Sequence, residues 1–160
     1  MTRILFICLG NICRSAMAEY IFKDLATKAG YRQFEVDSAA TSNYEIGNPI
    51  YPPAHDKLME HGIEVTCHRA RQMEKADYEK YDYLIAMDES NLRDLKPFVG
   101  DDPQHKVTLL LDHTPASDKA HHNRGIADPW YTHDFDTAYE DIVAGCTALL
   151  KELGDKREQY

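Results

Sequence analysis

Residues 3–15 of the chain read RILFICLGNICRS. The apolar run Ile4–Cys8 is typical of a strand buried on both faces of a sheet, and the segment after Arg14 has the three- and four-residue apolar spacing of a helix. The loop Cys8–Ser15 is therefore predicted to be a strand-to-helix turn. Such a turn directs backbone N–H groups inward, and the helix N-terminus adds partial positive charge, so the loop suits a phosphate-sized anion.

Several side chains of this loop suit phosphoryl chemistry. Gly10 and Asn11 tolerate the unusual backbone angles that an anion-binding turn requires. Cys8 is predicted to lie beside the positive end of a helix and a cation, which together would stabilise a nucleophilic thiolate. Arg14 supplies a planar fork for two phosphoryl oxygens. Ser15 is placed to donate a hydrogen bond to the sulfur and so ease its departure from a thiophosphate.

The Cys-x5-Arg spacing alone leaves an ordinary alternative open, which is a buried cysteine at a strand end with an unrelated surface arginine. The complete octet Cys8–Ser15 is more specific, because it resembles the signature loop C-x-G-N-x-C-R-S of the low-molecular-weight protein tyrosine phosphatases at every fixed position. The resemblance covers essentially the whole chain in motif content and order, including MDESNLR at residues 87–93. It departs at Ala16, where proline is common, and at Ala39, where glycine is usual. The resemblance implies that phosphate is bound by Leu9, Gly10, Asn11, Ile12, Cys13, Arg14 and Ser15.

Composition and length limit the other possibilities. The 160 residues suit a single domain, residues 1–160, with a core that needs no disulfides. The 18 basic against 27 acidic residues give a net charge of −9, which argues against binding to nucleic acid or to an anionic membrane. No apolar stretch approaches the ~18 residues that span a bilayer, and the first apolar run is too short for a signal-peptide core. Four cysteines do not form a secreted disulfide framework, so we expect a cytoplasmic protein.

Strand-like and helix-like segments alternate along the chain. The predicted strands are Ile4–Cys8, Phe34–Ser38, Tyr81–Met87 and Val107–Leu111. The predicted helices are Arg14–Ala29, Ala54–His61, Glu89–Leu95 and Asp136–Leu153, with Asp88 as the N-cap of the third. A long polar loop, Asp112–Asp134, precedes the last helix, and a polar tail, Asp155–Tyr160, is expected to fray.

This alternation predicts an α/β fold, because right-handed crossovers place parallel strands in one sheet with helices on both faces. The expected architecture is a three-layer sandwich, doubly wound in the flavodoxin-like or Rossmann-like manner. Ligands of such sheets bind outside the carboxyl ends of the strands, which is where the Cys8 loop falls. The family resemblance implies four strands with the first strand in the centre.

The second chemical requirement is a proton donor for the leaving oxygen, and the residues alone do not choose one among 27 acidic side chains. The resemblance does choose. The segment Asp128–Tyr131, DPWY, looks like the family's D-P-[aromatic]-Y segment, whose aspartate acts as general acid and later activates water. The resemblance further implies an aryl-lined substrate slot, since Tyr44 occupies a position where many members carry an aromatic residue. The residues assigned to this slot are Leu9, Ile12, Tyr44, Trp130 and Tyr131.

Two further assignments rest on the resemblance. Ser38 and His68 correspond to residues that hydrogen-bond the loop asparagine, here Asn11, and with Ser15 they would form the supporting network. Without the resemblance they are an ordinary turn serine and one of eight histidines. Cys13 is either a small buried apolar residue or, as the resemblance implies, a redox partner that captures Cys8 as a reversible disulfide.

A metal site is not expected. The loop histidines His113, His121, His122 and His133 fit no standard ligand spacing, and the implied mechanism needs neither a metal ion nor another cofactor. The remaining cysteines, Cys67 and Cys146, are expected to be packing residues.

The sequence thus predicts a tyrosine phosphatase that forms a cysteinyl-phosphate, with phosphotyrosine-containing proteins as substrates and phosphate or other oxyanions as product or inhibitor. We expect a monomer with at most weak self-association. An arsenate reductase is disfavoured because no further cysteine pair lies near Met87–Lys96. A phosphoarginine phosphatase is a closer rival, although members of that subgroup tend to carry threonine at the position of Ile12. A non-catalytic phosphotyrosine-binding module is a third alternative, and the combined presence of Cys8, Arg14, Ser15 and Asp128 argues against it.

Overall fold

The structure, a computed structural model, describes the backbone of residues 1–157 and the side chains of residues 1–154. The strands are β1 (Thr2–Cys8), β2 (Phe34–Ala40), β3 (Tyr83–Ala86) and β4 (Val107–Leu109). The helices are α1 (Arg14–Lys28), α2 (Pro52–Glu60), α3 (Ala76–Lys80), α4 (Glu89–Val99), α5 (Pro129–Thr132) and α6 (Phe135–Arg157), and a 3-10 helix covers Leu110–His113. Within the described part of the chain, no helix combines the length and apolar character needed to cross a bilayer.

The four strands form one sheet in the order β2-β1-β3-β4, and every neighbouring pair is parallel. This arrangement confirms the predicted α/β fold and the central place of β1. Cys8, the last residue of β1, pairs with Ala40 of β2, and Ile7 pairs with Ala86 of β3. The carboxyl ends of these three strands therefore meet at one edge of the sheet, where the loop Cys8–Ser15 begins.

Both faces of β1 are covered, which explains its uninterrupted apolar sequence. Alternate residues Ile4, Phe6 and Cys8 pack with α1, α2 and α6, whereas Leu5 and Ile7 pack with α3 and α4. The four apolar side chains Ile4–Ile7 have no exposed surface. Complete burial of each contributes about 1.5–3 kcal/mol, so β1 is a firm base for the loop that follows it.

The fourth strand is shorter than predicted. The sequence favours a strand over Val107–Leu111, but the strand ends at Leu109 and a 3-10 helix follows. The consecutive residues Leu110 and Leu111 are both buried in the cluster that contains α6. A strand would direct them to opposite faces, so the helical turn is what allows both to pack on one side. The Asp112 carboxylate accepts the Leu109 N–H at 3.1 Å and stabilises this turn.

Other helical features also differ from the sequence prediction. The segment Ala76–Lys80 forms the short helix α3, which the sequence does not predict because five residues are too few for a periodic pattern. The loop Asp112–Asp134 contains the one-turn helix α5. The helix α6 continues through Arg157, so the expected frayed tail Asp155–Tyr160 is helical in its first half, where lysine and arginine favour helix. The remainder of that tail, residues 158–160, lies outside the described residues.

We expect Gly145→Ala to destabilise the protein, although alanine normally favours a helix interior. Gly145 lies in α6 where a Cβ would stand 3.0 and 3.1 Å from the two δ carbons of the fully buried Leu110. Overpacking of this kind costs about 1–3 kcal/mol, which should appear as a lower free energy of unfolding in urea denaturation. The exposed Thr147→Ala in the same helix is the control and should change stability by no more than about 0.5 kcal/mol. A stabilised Gly145→Ala variant would contradict the close contact.

Candidate active site

The Cys8 sulfur lies at the centre of a ring of donors. It is 3.3 Å from the backbone nitrogen of Asn11 and 3.4 Å from that of Ser15, and both N–H groups donate to it. The Ser15 hydroxyl oxygen is 3.0 Å from the same sulfur. These donors approach a side chain that is only 3% exposed. The loop therefore provides the inward-directed donors that stabilise a thiolate or an anion bound beside it.

Asn11 holds the shape of the loop. Its φ of 61° is left-handed and its side chain is fully buried. The amide group of Asn11 donates to the Ser15 hydroxyl oxygen at 2.8 Å, while its Oδ1 accepts the Arg71 N–H at 3.2 Å. Since the Ser15 oxygen accepts this bond, its own hydrogen is available to the Cys8 sulfur. The predicted contact of His68 is present too: its Nε2 is 2.6 Å from the Asn11 carbonyl oxygen, which can only accept, so Nε2 carries the proton.

The prediction that Ser38 hydrogen-bonds Asn11 is wrong. The Ser38 hydroxyl instead donates to Glu19 Oε1 at 2.6 Å, and Glu19 in turn forms a 2.5 Å ion pair with Lys23. The register explains the difference. Ser38 pairs with Phe6, two residues before the end of β1, so its side chain faces the body of α1 rather than the loop. Ser38 thus holds a buried carboxylate of α1.

Arg14 gathers three segments around its guanidinium group. Its Nη1 donates to Asp88 Oδ2 at 2.6 Å and to the Ile126 carbonyl at 2.8 Å, and its Nη2 donates to Asp128 Oδ2 at 3.3 Å. The side chain is 2% exposed. Burial opposes its charge, but the neighbouring Cys8, Asp128 and Asp88 raise the pKa of Arg14 above its usual value. The buried Nε has no hydrogen-bond partner among the described residues and is a donor available to an oxyanion.

Asp88 belongs to this site, although its sequence context predicts only a helix cap. Its Oδ1 accepts the Asn91 N–H at 2.9 Å and the Ser90 hydroxyl at 2.7 Å, which caps α4, while Oδ2 receives Arg14. Partial burial tends to raise the pKa of Asp88, but the bonds from Ser90 and Arg14 outweigh it and hold the pKa below its ordinary value. Its position just after β3, beside β1 at the ligand-binding edge of a parallel sheet, was the signal that could have found it.

Asp128 reaches the same cluster from the long loop. It is the N-cap of α5, and its Oδ1 accepts the Trp130 N–H at 3.0 Å. The bond fixes one carboxylate oxygen and leaves Oδ2 on the side of Arg14. Cys8 and Arg14 lie in one loop, and Asp128, which is 114 residues after Arg14 in the sequence, is thus brought to them at the end of β1.

An open slot lies over the loop. The predicted residues Leu9, Ile12, Tyr44, Trp130 and Tyr131 all line it, together with Cys8, Gly10, Cys13, Glu45 and Asp128. The Trp130 ring packs on Tyr51 with 4.8 Å between ring centroids. Glu45, which the sequence does not single out, also lines the slot and follows directly on Tyr44. An aromatic rim with a carboxylate on it can receive a flat or cationic organic group next to the anion-binding loop.

Of the remaining cysteines, Cys13 lines the slot, whereas Cys67 and Cys146 do not line it. Burial, followed by the charge of Cys8, raises the pKa of the Cys13 thiol well above its usual value. Cys146 is buried, as a packing residue should be, but the corresponding prediction for Cys67 is wrong because its side chain is exposed. Within the residues that the structure describes, no group of three or more histidine, cysteine, aspartate or glutamate side chains could hold a metal ion.

We expect Asn11→Ala and Ser38→Ala to affect oxyanion binding differently. Asn11→Ala removes two hydrogen bonds that hold the loop, one of them fully buried, so the affinity for inorganic phosphate should fall about tenfold or more. Ser38→Ala leaves Glu19 short of a donor and should lower thermal stability, but it should change phosphate affinity by no more than about threefold. Calorimetric titration with phosphate checks both, and equal losses of affinity would contradict the assignment of Ser38 to α1.

Comparison with known proteins agrees with this site. The family model described as low molecular weight phosphotyrosine protein phosphatase matches residues 3–159. The low molecular weight protein-tyrosine-phosphatase YfkJ of Bacillus subtilis is 38% identical over 159 residues, which is 99% of each chain. The low molecular weight phosphotyrosine protein phosphatase of Gallus gallus is 43% identical over 154 residues, covering 93% of this chain and 94% of the relative.

Solved structures give the same result. The crystal structure of YfkJ superimposes with a TM-score of 0.90 at 38% identity and covers 98% of this chain and 96% of its own. The crystal structure of DARP, a Drosophila arginine phosphatase, superimposes with a TM-score of 0.84 at 31% identity and covers 96% and 98%. With the sequence matched from end to end and the loop, arginine and aspartate assembled in one place, the chain belongs to the low molecular weight phosphotyrosine protein phosphatase family.

Proposed function

We propose that this chain hydrolyses phosphotyrosine and other aryl phosphates through a cysteinyl-phosphate intermediate, with Cys8 as nucleophile, Arg14 as phosphate ligand and Asp128 as general acid and base. The observation that carries the proposal is the convergence of these three side chains. The Cys8 sulfur is surrounded by donors, and Asp128 Oδ2 lies 3.3 Å from an arginine whose Nε has no partner among the described residues.

The first step is an in-line attack of the Cys8 thiolate on phosphorus. The sulfur–phosphorus bond forms as the bond to the phenolic oxygen breaks, and protonated Asp128 donates its proton to that oxygen. Arg14 and the N–H groups of the loop stabilise the charge on the equatorial oxygens. Because Oδ1 of Asp128 is held by the Trp130 N–H, Oδ2 is the oxygen placed to transfer the proton.

The second step returns the enzyme to its starting state. Asp128, now a carboxylate, takes a proton from water, whose oxygen forms a bond to phosphorus as the sulfur–phosphorus bond breaks. The departing thiolate is stabilised by the Ser15 hydroxyl at 3.0 Å and by the N–H groups of Asn11 and Ser15. Inorganic phosphate is the product and, as a ligand of the same loop, an inhibitor. No step uses a metal ion or another cofactor.

The aromatic rim supports an aryl substrate. Tyr44 and Tyr131 are mostly exposed, at 74% and 69%, and can flank a phenyl ring whose phosphate reaches Cys8. Ile12, where the phosphoarginine phosphatases tend to carry threonine, adds apolar surface. A second candidate substrate is phosphoarginine, because Glu45 lines the slot and could accept hydrogen bonds from a guanidinium, and because the DARP structure is similar over almost the whole chain.

Several wider features form part of the proposal. Residues 1–154 pack around one sheet and are proposed to act as one catalytic domain. A free nucleophilic thiol suits the reducing cytoplasm, and the net charge of −9 disfavours nucleic acid and anionic membranes as partners. The partners proposed are phosphotyrosine-containing proteins that a monomer binds at the aromatic rim.

We expect Asp128→Asn to lose about 10²–10⁴-fold in kcat/KM with phosphotyrosine, because an amide cannot protonate the leaving oxygen. Phosphate release from phosphotyrosine, phosphoserine and phosphoarginine measures this, with Cys8→Ser as the blank. Asp56→Asn, an 82% exposed aspartate of α2, is the matched control and should leave the rate unchanged. An unchanged rate in Asp128→Asn would refute its role as the acid. If wild-type protein hydrolysed only phosphoarginine, phosphoarginine would replace phosphotyrosine as the proposed substrate.

We also propose that Cys13 protects Cys8 from oxidation. Cys13 is buried and lines the same slot as Cys8. Peroxide converts the Cys8 thiolate to a sulfenic acid. Attack by the Cys13 sulfur then forms the disulfide as the sulfenic oxygen leaves as water.

A dithiol should therefore restore activity to peroxide-treated wild-type protein, whereas Cys13→Ser should recover much less because its Cys8 oxidises further. Activity before and after dithiol is the measurement. Cys146→Ser, at a fully buried cysteine that does not line the Cys8 slot, is the control and should recover like wild type. Equal recovery of Cys13→Ser would overturn this role.

A further inference from the structure

A bidentate ion pair between Arg124 and Asp141 holds the Asp128 loop against the helix α6. Arg124 Nη1 lies 3.0 Å from Asp141 Oδ2, and Arg124 Nη2 lies 3.0 Å from Asp141 Oδ1. The Asp141 side chain is 5% exposed, whereas that of Arg124 is 43% exposed. The hydrogen bonds to Asp141 are the largest cause that raises the pKa of Arg124 above its ordinary value. Paired geometry of this kind is directional and fixes both groups.

The same arginine holds the loop on both of its sides. Its Nε donates to the Ala120 carbonyl at 2.8 Å and its Nη1 donates to the Gly125 carbonyl at 3.0 Å. Asp141 has a second neighbour, His121, whose Nε2 is 3.4 Å from Oδ1. Arg124 therefore connects the turn that contains Ala120, the segment that begins at Gly125 and the helix α6.

These contacts lie in a segment without helix or strand, whose path is fixed by turns and side-chain contacts. Residues 114–128, all of which the structure describes, form turns and bends without helix or strand. The helix α6 is a rigid base, because Ile142, Cys146 and Leu149 have no exposed surface and pack in the main core. The contact between Arg124 and α6 thus fixes this irregular loop relative to the core.

The path from Arg124 to the acid is short and closely packed. A Cβ on Gly125 would stand 3.0 Å from the Asp88 Cβ, so the backbone passes directly against Asp88. The next residue, Ile126, donates its N–H to the Met87 carbonyl at 2.8 Å and accepts Arg14 at its own carbonyl. Asp128 follows two residues later. A shift of the backbone at Arg124 would therefore move the segment that leads to Asp128.

We propose that Arg124, held by Asp141, is a positioning residue for the general acid: it sets the distance from Asp128 Oδ2 to the leaving oxygen without touching substrate. This inference rests on the proposed function. Removal of Arg124 would leave the buried Asp141 carboxylate without its cation, and the loop would shift to rehydrate it. Misplacement of a catalytic group by about 1 Å costs up to about 10²-fold in rate.

The leaving group separates positioning from general damage. Phenyl phosphate has a basic leaving oxygen that needs protonation, whereas 2,4-dinitrophenolate leaves readily without it. We expect Arg124→Ala and Asp141→Asn to lower kcat/KM about 10–100-fold with phenyl phosphate. With 2,4-dinitrophenyl phosphate the loss should stay within about threefold. Arg124→Lys, which keeps the charge on Asp141 and loses the fork, should fall between wild type and Arg124→Ala.

Two further variants complete the experiment, with all rates measured below each variant's unfolding temperature. Arg3→Ala breaks an exposed arginine–glutamate pair at the other end of β1 and should keep the wild-type ratio between the two substrates. In an Asp128→Asn background, Arg124→Ala should produce no further change in that ratio, because its effect acts through Asp128. Equal losses on both substrates, no loss, or an undiminished effect in the Asp128→Asn background would overturn the inference. Wild-type protein that hydrolyses neither ester would instead refute the proposed function, and the inference with it.

Discussion

The site depends on one buried cation. Arg14 is 2% exposed, and its guanidinium donates to Asp88, to the Ile126 carbonyl and to Asp128. A charge so placed is stable only while its partners remain in position, because an unpaired buried charge costs several kcal/mol. The same group that would bind phosphate therefore also joins the end of β3 and the acid-bearing loop to the start of α1.

The nucleophile and the acid are held beside this cation in different ways. β1, covered on both faces, fixes Cys8, and the left-handed Asn11 holds the loop open through bonds to Ser15, His68 and Arg71. Asp128, by contrast, comes from a segment without helix or strand before α5, which is part of the described chain, and it relies on side-chain contacts for its place. The nucleophile is thus positioned by secondary structure and the acid by ion pairs and hydrogen bonds.

The sequence was sufficient wherever a local pattern carried the information. The apolar run Ile4–Cys8 predicts the central strand, and the octet after it predicts the donors around the sulfur. Contacts between distant segments could not be predicted from the sequence. Nothing local distinguishes Asp88 as a partner of Arg14. The partner predicted for Ser38 is wrong because the strand register decides which way its side chain faces. The end of β4 was missed for a similar reason, since tertiary packing of Leu110 and Leu111 overrides their strand propensity.

The double use of Asp88 has a consequence for acid conditions. Its pKa is held below the ordinary value of about 3.9, so the carboxylate keeps its charge at a pH where an unrestrained aspartate is already neutral. A group whose pKa is depressed on folding adds stability that is fully present above its unfolded pKa and is lost as the pH falls through the folded value. Because one carboxylate both caps α4 and balances Arg14, acidification should loosen the helix start and the phosphate-binding arginine in a single event.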